Sequence, residues 1–266
     1  VLGIRRPNNF VEGEYPVYFT EGKGCKVKDI DNNEFIDMLC AYGPIIIGHR
    51  ETEIDNKVID QIKNNGFCFS LTQPISSELS KTLTELIPSC EMSIFVKSGS
   101  DATSAAIKAA RSYTGKNKIL RCGYHGWHDW CVENRNGVTK NTTDDVLEFK
   151  YNDITKIEKH IKNNPNNIAG LIITPIGHSL GKNIEMPEKD YLNQIRVITR
   201  KNNIVLIFDE IRTGFRISFG GAQKLFNVTP DLSTFGKAMA NGYEIAALVG
   251  KKEFMNVCAY WYTKLL

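Results

Sequence analysis

Four short segments hold residues whose types and spacing could do chemistry. Lys237 stands alone among small and apolar residues in Leu232-Ser233-Thr234-Phe235-Gly236-Lys237-Ala238-Met239-Ala240-Asn241-Gly242. A desolvated amine of that kind has a lowered pKa, which Schiff-base chemistry requires, although most lysines are solvated surface groups. Asp209 and Glu210 follow the apolar run Ile204-Val205-Leu206-Ile207-Phe208. An acidic end to a buried strand could hold Mg²⁺ in a nucleoside triphosphatase, but that reading needs a phosphate loop, and no G-x-x-x-x-G-K-[ST] occurs. In Ser98-Gly99-Ser100-Asp101, Gly99 lets backbone approach a ligand, the serines supply hydroxyls, and the start of a following helix favours phosphate. The plain alternative there is an N-cap made by Ser100 or Asp101. Cys122, His125, His128 and Cys131 have zinc-ligand types, yet their uniform short spacing differs from the two separated pairs of structural zinc sites, so no metal is expected. The same segment carries Tyr124, Trp127 and Trp130, which suit an aromatic wall for a flat ligand.

Taken together these are the parts for pyridoxal 5′-phosphate. A helix start anchors the phosphate, an aromatic ring stacks on the pyridine, and Asp209 keeps the ring nitrogen protonated so that the ring draws electrons. Lys237, 28 positions on (237 − 209), forms the Schiff base.

The elements that must position these residues are legible as an α/β pattern. Residues 15–40 alternate in short period-2 segments around Gly22-Lys23-Gly24 and Asp31-Asn32-Asn33, which predicts a small antiparallel meander. Helical spacing over 53–65 and 77–87 predicts two amphipathic helices. Beyond them come a strand at 93–96, a helix at 102–113, a strand at 118–122, a helix at 154–162, a strand at 170–174, a helix at 189–201 and a strand at 204–208. Continuous apolar runs such as Leu171-Ile172-Ile173 suit strands covered on both faces, in a mostly parallel sheet with flanking helices. The expected division is an N-terminal segment, 1–50, and a large ligand-binding domain, 51–266. With 42% hydrophobic and 24% charged residues the chain is not disordered, and Lys+Arg 33 against Asp+Glu 30 leaves no basic face for nucleic acid. No apolar run is long enough for a membrane span. Seven scattered cysteines suggest reduced thiols and a cytoplasmic location.

At this point the sequence resembles the class III aminotransferases of PLP fold type I, and most closely the glutamate-1-semialdehyde 2,1-aminomutase branch. The resemblance runs through Ala41-Tyr42-Gly43-Pro44-Ile45-Ile46-Ile47-Gly48-His49, Tyr124-His125-Gly126, Asp209-Glu210-Ile211-Arg212-Thr213-Gly214-Phe215-Arg216, Gly220-Gly221-Ala222-Gln223, Pro230-Asp231-Leu232 and Gly236-Lys237. It implies Lys237 as Schiff-base lysine and proton shuttle, Asp209 as partner of the pyridine nitrogen, and Ile211 against one ring face. Tyr124 would stack on the other face near His125 and Gly126, with Ser98, Gly99 and Ser100 on the phosphate. It further implies a homodimer acting on a small amino or keto substrate. The activity expected is intramolecular amine transfer. The alternatives are an aminotransferase using an amino-acid donor and a keto-sugar or other small carbonyl substrate, or a truncated non-catalytic relative.

Three departures bear on these expectations. Thr174-Pro175-Ile176 stands where the family usually has Glu-Pro-Val, and Asn9, with Arg5 and Arg6 nearby, aligns with a substrate-binding Arg of the aminomutases. The chain opens at Val1 and stops soon after Lys237. It is therefore expected to be the N-terminal segment and most of the cofactor domain of a longer protein, without the family's C-terminal small domain.

Overall fold

Turn chemistry sets the N-terminal layer. Strands β1 (Phe19–Lys23), β2 (Lys26–Asp29) and β3 (Glu34–Ile36) pair antiparallel in sequence order. The β2–β3 turn is tied by the Asp29 carboxylate, which accepts from the backbone N–H groups of Asp31 and Asn33 and from the Asn33 amide. Helix α1 (Thr52–Asp60) runs on as a π-helical turn at Gln61–Asn65. The computed structural model describes residues 11, 13–177 and 183–261, so Arg5, Arg6 and Asn9 lie outside the described residues. The chain divides into two compact units, Val1–Leu71 and Thr72–Leu266.

The second unit is built on a seven-stranded sheet. Its elements are α2 (Pro74–Leu86), β4 (Met92–Val96), α3 (Gly99–Thr114), β5 (Lys118–Cys122), α4 (Lys140–Thr143), β6 (Val146–Glu148), α5 (Ile154–Asn163) and β7 (Ile168–Ile173). They continue as α6 (Tyr191–Lys201), β8 (Val205–Asp209), α7 (Gly221–Leu225), β9 (Leu232–Phe235), β10 (Ala246–Gly250) and α8 (Lys252–Met255). The strand order is β4-β10-β9-β8-β7-β5-β6. Strands β9, β8, β7, β5 and β6 are parallel neighbours, while β10 runs antiparallel to both β9 and β4. Two reversals return β4 to the direction of β9, so the loops after β4, β5, β7, β8 and β9 all leave the same edge. This is the edge where open α/β sheets hold ligands.

Period-2 alternation splits the sheet's side chains between two cores. Val205 and Ile207 of β8 pack with Ala106, Ile107, Ala109 and Ala110 of α3. Leu206 and Phe208 pack on the other face with Ile157 of α5 and Ile195 of α6. The alanines let α3 lie close: a Cβ built on Gly170 of β7 would sit 3.2 Å from the Ala110 Cβ. The predicted helix at 102–113 begins earlier, at Gly99, because Ser98 caps it. Short strands β6, β9 and β10 go beyond the sequence-based elements.

Candidate active site

Residue parity explains how Asp209 and Thr234 meet. They are cross-strand partners in the β8–β9 register, and two residues beyond Ile207 the Asp209 side chain points to the α3 side of the sheet. Thr234 Oγ1 donates to Asp209 Oδ1 at 3.2 Å, and the Ile211 N–H donates to the same oxygen at 3.1 Å. His125 Nδ1 lies 2.7 Å from Oδ2, with both side chains buried. His125 Nε2 is 2.9 Å from the Cys122 carbonyl, which can only accept, so Nε2 carries a proton. The Nδ1–Oδ2 contact must then hold a proton as well. The carboxylate is thus fixed by three donors from protein and faces the cavity in one orientation.

That cavity, of about 190 Å³, is lined by Gly99, Ser100, Tyr124, His125, Gly126, Thr174, Asp209, Ile211, Arg212 and Lys237. They come from the five loops that share one sheet edge. Ile211 is wedged: a Cβ on Gly99 would stand 3.1 Å from its Cδ1, and so would one on Gly236. Gly126 needs its missing side chain twice over, since its φ is +119° and a Cβ would lie 2.5 Å from Ser100 Oγ. Lys237 sits at φ +45°, in the left-handed region that costs a non-glycine residue about 1–2 kcal/mol. Burial lowers the Lys237 amine to about 8; the charges of Arg212 and Arg216 push it the same way and Asp209 opposes them.

Of the sequence-predicted residues, the structure brings Gly99, Ser100, Tyr124, His125, Gly126, Asp209, Ile211 and Lys237 to one cavity, and Ser98 does not line it. The Ser98 and Asp101 side chains form a capping box: Ser98 Oγ accepts from the Asp101 N–H, and Asp101 Oδ2 accepts from the Ser98 N–H at 2.9 Å and its hydroxyl at 2.7 Å. The cap is therefore Ser98, not Ser100 or Asp101. Of Tyr124, Trp127 and Trp130 the cavity takes Tyr124, for Trp127 is 70% exposed and the Trp130 ring lies parallel to His125 at 6.4 Å. The cysteines flanking the two histidines are buried thiols, each pushed by burial up to about 12, and His128 Nδ1 lies 2.8 Å from Ser104 Oγ. Arg212 was not singled out from sequence. It lines the cavity with its guanidinium carbon 5.7 Å from the centre of the Tyr124 ring.

The loop that carries Ile211 and Arg212 is closed by Glu210, which is fully buried. Its carboxylate accepts from Thr213 Oγ1, from the N–H groups of Ala222 and Gln223 at 2.8 and 3.0 Å, and from the Gln223 amide. A Cβ on Gly221 would meet that carboxylate at 2.6 Å, which accounts for the second glycine of Gly220-Gly221-Ala222-Gln223. Burial holds Glu210 above the usual carboxylate range against the pull of these donors.

The sequence model of the aminotransferase class-III family matches residues 10–260. The 3-aminobutyryl-CoA aminotransferase of Cloacimonas acidaminovorans (strain Evry) is 62% identical over 259 residues, 97% of this chain and 63% of that protein. The glutamate-1-semialdehyde 2,1-aminomutase of Sulfolobus acidocaldarius is 38% identical, over 96% of this chain and 63% of that protein. Among solved structures, FumI of Sphingopyxis sp. MTA144, in its PLP internal aldimine form, matches with a TM-score of 0.91 at 28% identity, over 98% of this chain and 62% of that one. This chain thus spans 63% of the length of each of these two curated relatives. The donor set fits pyridoxal phosphate: backbone N–H groups at the start of α3, a carboxylate held in one orientation, an aromatic and an aliphatic side chain, and an amine of lowered pKa.

Proposed function

The chain belongs to the class-III aminotransferase family, and on that premise we propose that it carries the cofactor half of an enzyme moving an amino group between an amino-acid donor and a small β-keto acyl substrate. The observation that carries this reading is the single cavity shared by Lys237, Asp209, Tyr124 and the start of α3. The substrate class rests on the 62% identity to a 3-aminobutyryl-CoA aminotransferase.

Pyridoxal phosphate, when bound, supplies an aldehyde carbon for condensation with the amine and a ring that withdraws electrons from the breaking C–H bond. Asp209, held from behind by His125, would keep the cofactor's ring nitrogen protonated. The N–H groups of Gly99 and Ser100, with the positive end of α3, hold the phosphate. Tyr124 and Ile211 bracket the ring. Lys237 Nζ is neutral in part near neutral pH, so it would be the amine that holds the cofactor and the base that takes and returns the substrate's α-proton.

The second reading is the aminomutase, supported by 38% identity over 96% of this chain. Purified full-length protein decides between them. Transfer from 3-aminobutyryl-CoA that depends strictly on an added keto acid supports the aminotransferase; turnover of glutamate-1-semialdehyde with no added keto acid replaces it with the mutase. We further infer a homodimer, because the N-terminal unit exposes large apolar side chains such as Met38 at 86%, Leu71 at 84% and Phe67 at 70%. All seven cysteines are free, which suits a cytoplasmic location.

A further inference from the structure

Strand β5 buries a charge. Ile119 packs with α3, and two residues on Arg121 points to the same side of the sheet, beside Ile172 of β7. The Arg121 side chain is 8% exposed, so its guanidinium sits there at a cost that its partners must offset. Nη1 donates to the Cys131 carbonyl, and Nη2 donates to Glu148 Oε1 of β6 at 2.7 Å. Arg135 Nη2 donates to the same carboxylate oxygen at 3.1 Å. The hydrogen bond from Arg121, with the charges of both arginines, holds Glu148 below the usual carboxylate range against the opposing effect of burial.

These contacts close a loop. The chain leaves β5 at Cys122, passes the cavity at Tyr124, His125 and Gly126, and comes round to Cys131, whose carbonyl meets the strand residue just before the loop began. Arg121 is thus the neck of a compact loop whose ends lie together. Helix α3 holds the loop along its length: Thr103 Oγ1 donates to the His125 carbonyl at 2.7 Å, the Trp127 N–H to Ser100 Oγ at 3.3 Å, and Trp130 Nε1 to Ser104 Oγ at 2.9 Å. Arg121 and Glu148 hold it from the sheet. Arg135 then brings the segment beyond the neck to the same carboxylate.

Resting on the reading of the cavity as a pyridoxal phosphate site, we propose that Arg121, oriented by Glu148, is a positioning residue for the cofactor: it fixes the neck of the loop, and through it the place of Tyr124 in the cavity and of His125 behind Asp209. Its own side chain is not part of the cavity lining. Because Tyr124 and His125 are consecutive, a loosened neck disturbs the ring stacking and the orientation of Asp209 together.

The test uses full-length protein with PLP and compares wild type with Arg121→Met, Arg121→Lys and Glu148→Gln. Arg196→Met is the control, since Arg196 is another buried arginine paired with a carboxylate, Asp231, and neither lines the cavity. Two quantities are read, the Kd for PLP and the visible circular dichroism per bound cofactor, which reports how rigidly the ring is held. Arg121→Met should raise the Kd by about 10- to 100-fold and weaken the dichroism. The lysine variant keeps the charge without the two-armed fork and should fall between. Glu148→Gln should act in the same direction by a smaller factor, and combined with Arg121→Met it should add less than its separate effect, because the two work as one clasp. Arg196→Met should lower the urea midpoint while the Kd stays within about threefold of wild type. Unchanged Kd and dichroism in Arg121→Met overturn the proposal, and so does an equal rise of Kd in Arg196→Met, which would assign the effect to general loss of stability. Should Arg121→Met not fold, unchanged values in both Arg121→Lys and Glu148→Gln overturn it equally. Wild type that binds no PLP defeats the cofactor reading and the proposal with it, a result distinct from normal wild-type binding that the variants leave undisturbed.

Discussion

In the cofactor-free protein, Lys237 should titrate near 8 rather than at its ordinary 10.5. Burial is the leading cause, Arg212 and Arg216 add to it, and Asp209 opposes them. At pH 7 a group of pKa 8 is neutral about one time in ten, against about one in three thousand at 10.5, so the neutral fraction of Lys237 should exceed that of a surface lysine by about 300-fold. Trinitrobenzenesulfonate labelling, with the modified peptides quantified from pH 6 to 11, reads this directly. The Arg212→Gln variant should move the midpoint upward but short of 10.5, because the burial remains. The sign for stability follows from linkage. Between pH 8 and 10.5 the unfolded chain binds the proton that the folded chain has released, so stability rises with pH across that window. The full shift corresponds to about 3 kcal/mol, present as a cost below pH 8 and gone above 10.5. Lys237→Met should accordingly unfold at higher urea than wild type at pH 7, with the advantage fading toward pH 10.5. A labelling midpoint near 10.5, or a stability difference flat with pH, refutes the reasoning.

Gly126→Ala and Gly137→Ala both place a side chain at positive φ, but only the first also meets Ser100, while a Cβ on Gly137 finds nothing within 4 Å. The first should cost about 2 kcal/mol or more in urea unfolding and the second about 1; equal costs would mean that the Ser100 contact is irrelevant. Replacing His125 by Phe strips one donor from Asp209 and removes the ring's contact with the Cys122 carbonyl. A loss of about 1–3 kcal/mol should appear with weaker PLP binding, and an unaltered PLP affinity would count against the role given to the pair. Arg196 makes a buried two-pronged contact with Asp231, at 2.8 and 3.0 Å, beside the start of β9. Arg196→Met leaves that buried carboxylate with only the Leu206 N–H, which donates to its Oδ2 at 2.8 Å, and should cost about 3–5 kcal/mol in urea unfolding.

The central strands were legible because each is covered on both faces and is apolar throughout, as in β7 and β8. Strand β9 was not, since Ser233 and Thr234 interrupt it. Their polarity is absorbed by partners far away in sequence, Ser233 by Gln223 and Ser89 and Thr234 by Asp209. Strand β10, Ala-Ala-Leu-Val-Gly, has the weak strand formers Ala and Gly at three of its five positions and is held between β9 and β4. Within the site, Lys237 and Asp209 could be read from residue type, spacing and family resemblance. Arg212 could not, because its significance depends on Tyr124 arriving from another loop. Ser98 could have been read better: Asp101 lies three positions on, the spacing of a capping box, and a hydroxyl engaged there is not offered to a ligand.

The places where local rules are broken are the ones that face the cavity. A lysine is half-buried and held at positive φ, a carboxylate is buried against a histidine, and a glycine is folded where any side chain would collide. Each would drive a free loop to rearrange. None can move here, because the strands that end in these loops are packed from both sides, by the alanine face of α3 and by α5 and α6. The cross-strand pair Asp209–Thr234 converts a separation of 28 residues between Asp209 and Lys237 into neighbouring strand ends, with Lys237 three residues past Thr234. The strain at Lys237 and the lowered pKa of its amine thus have one origin: a rigid sheet edge that holds a cation where it is least comfortable and most reactive.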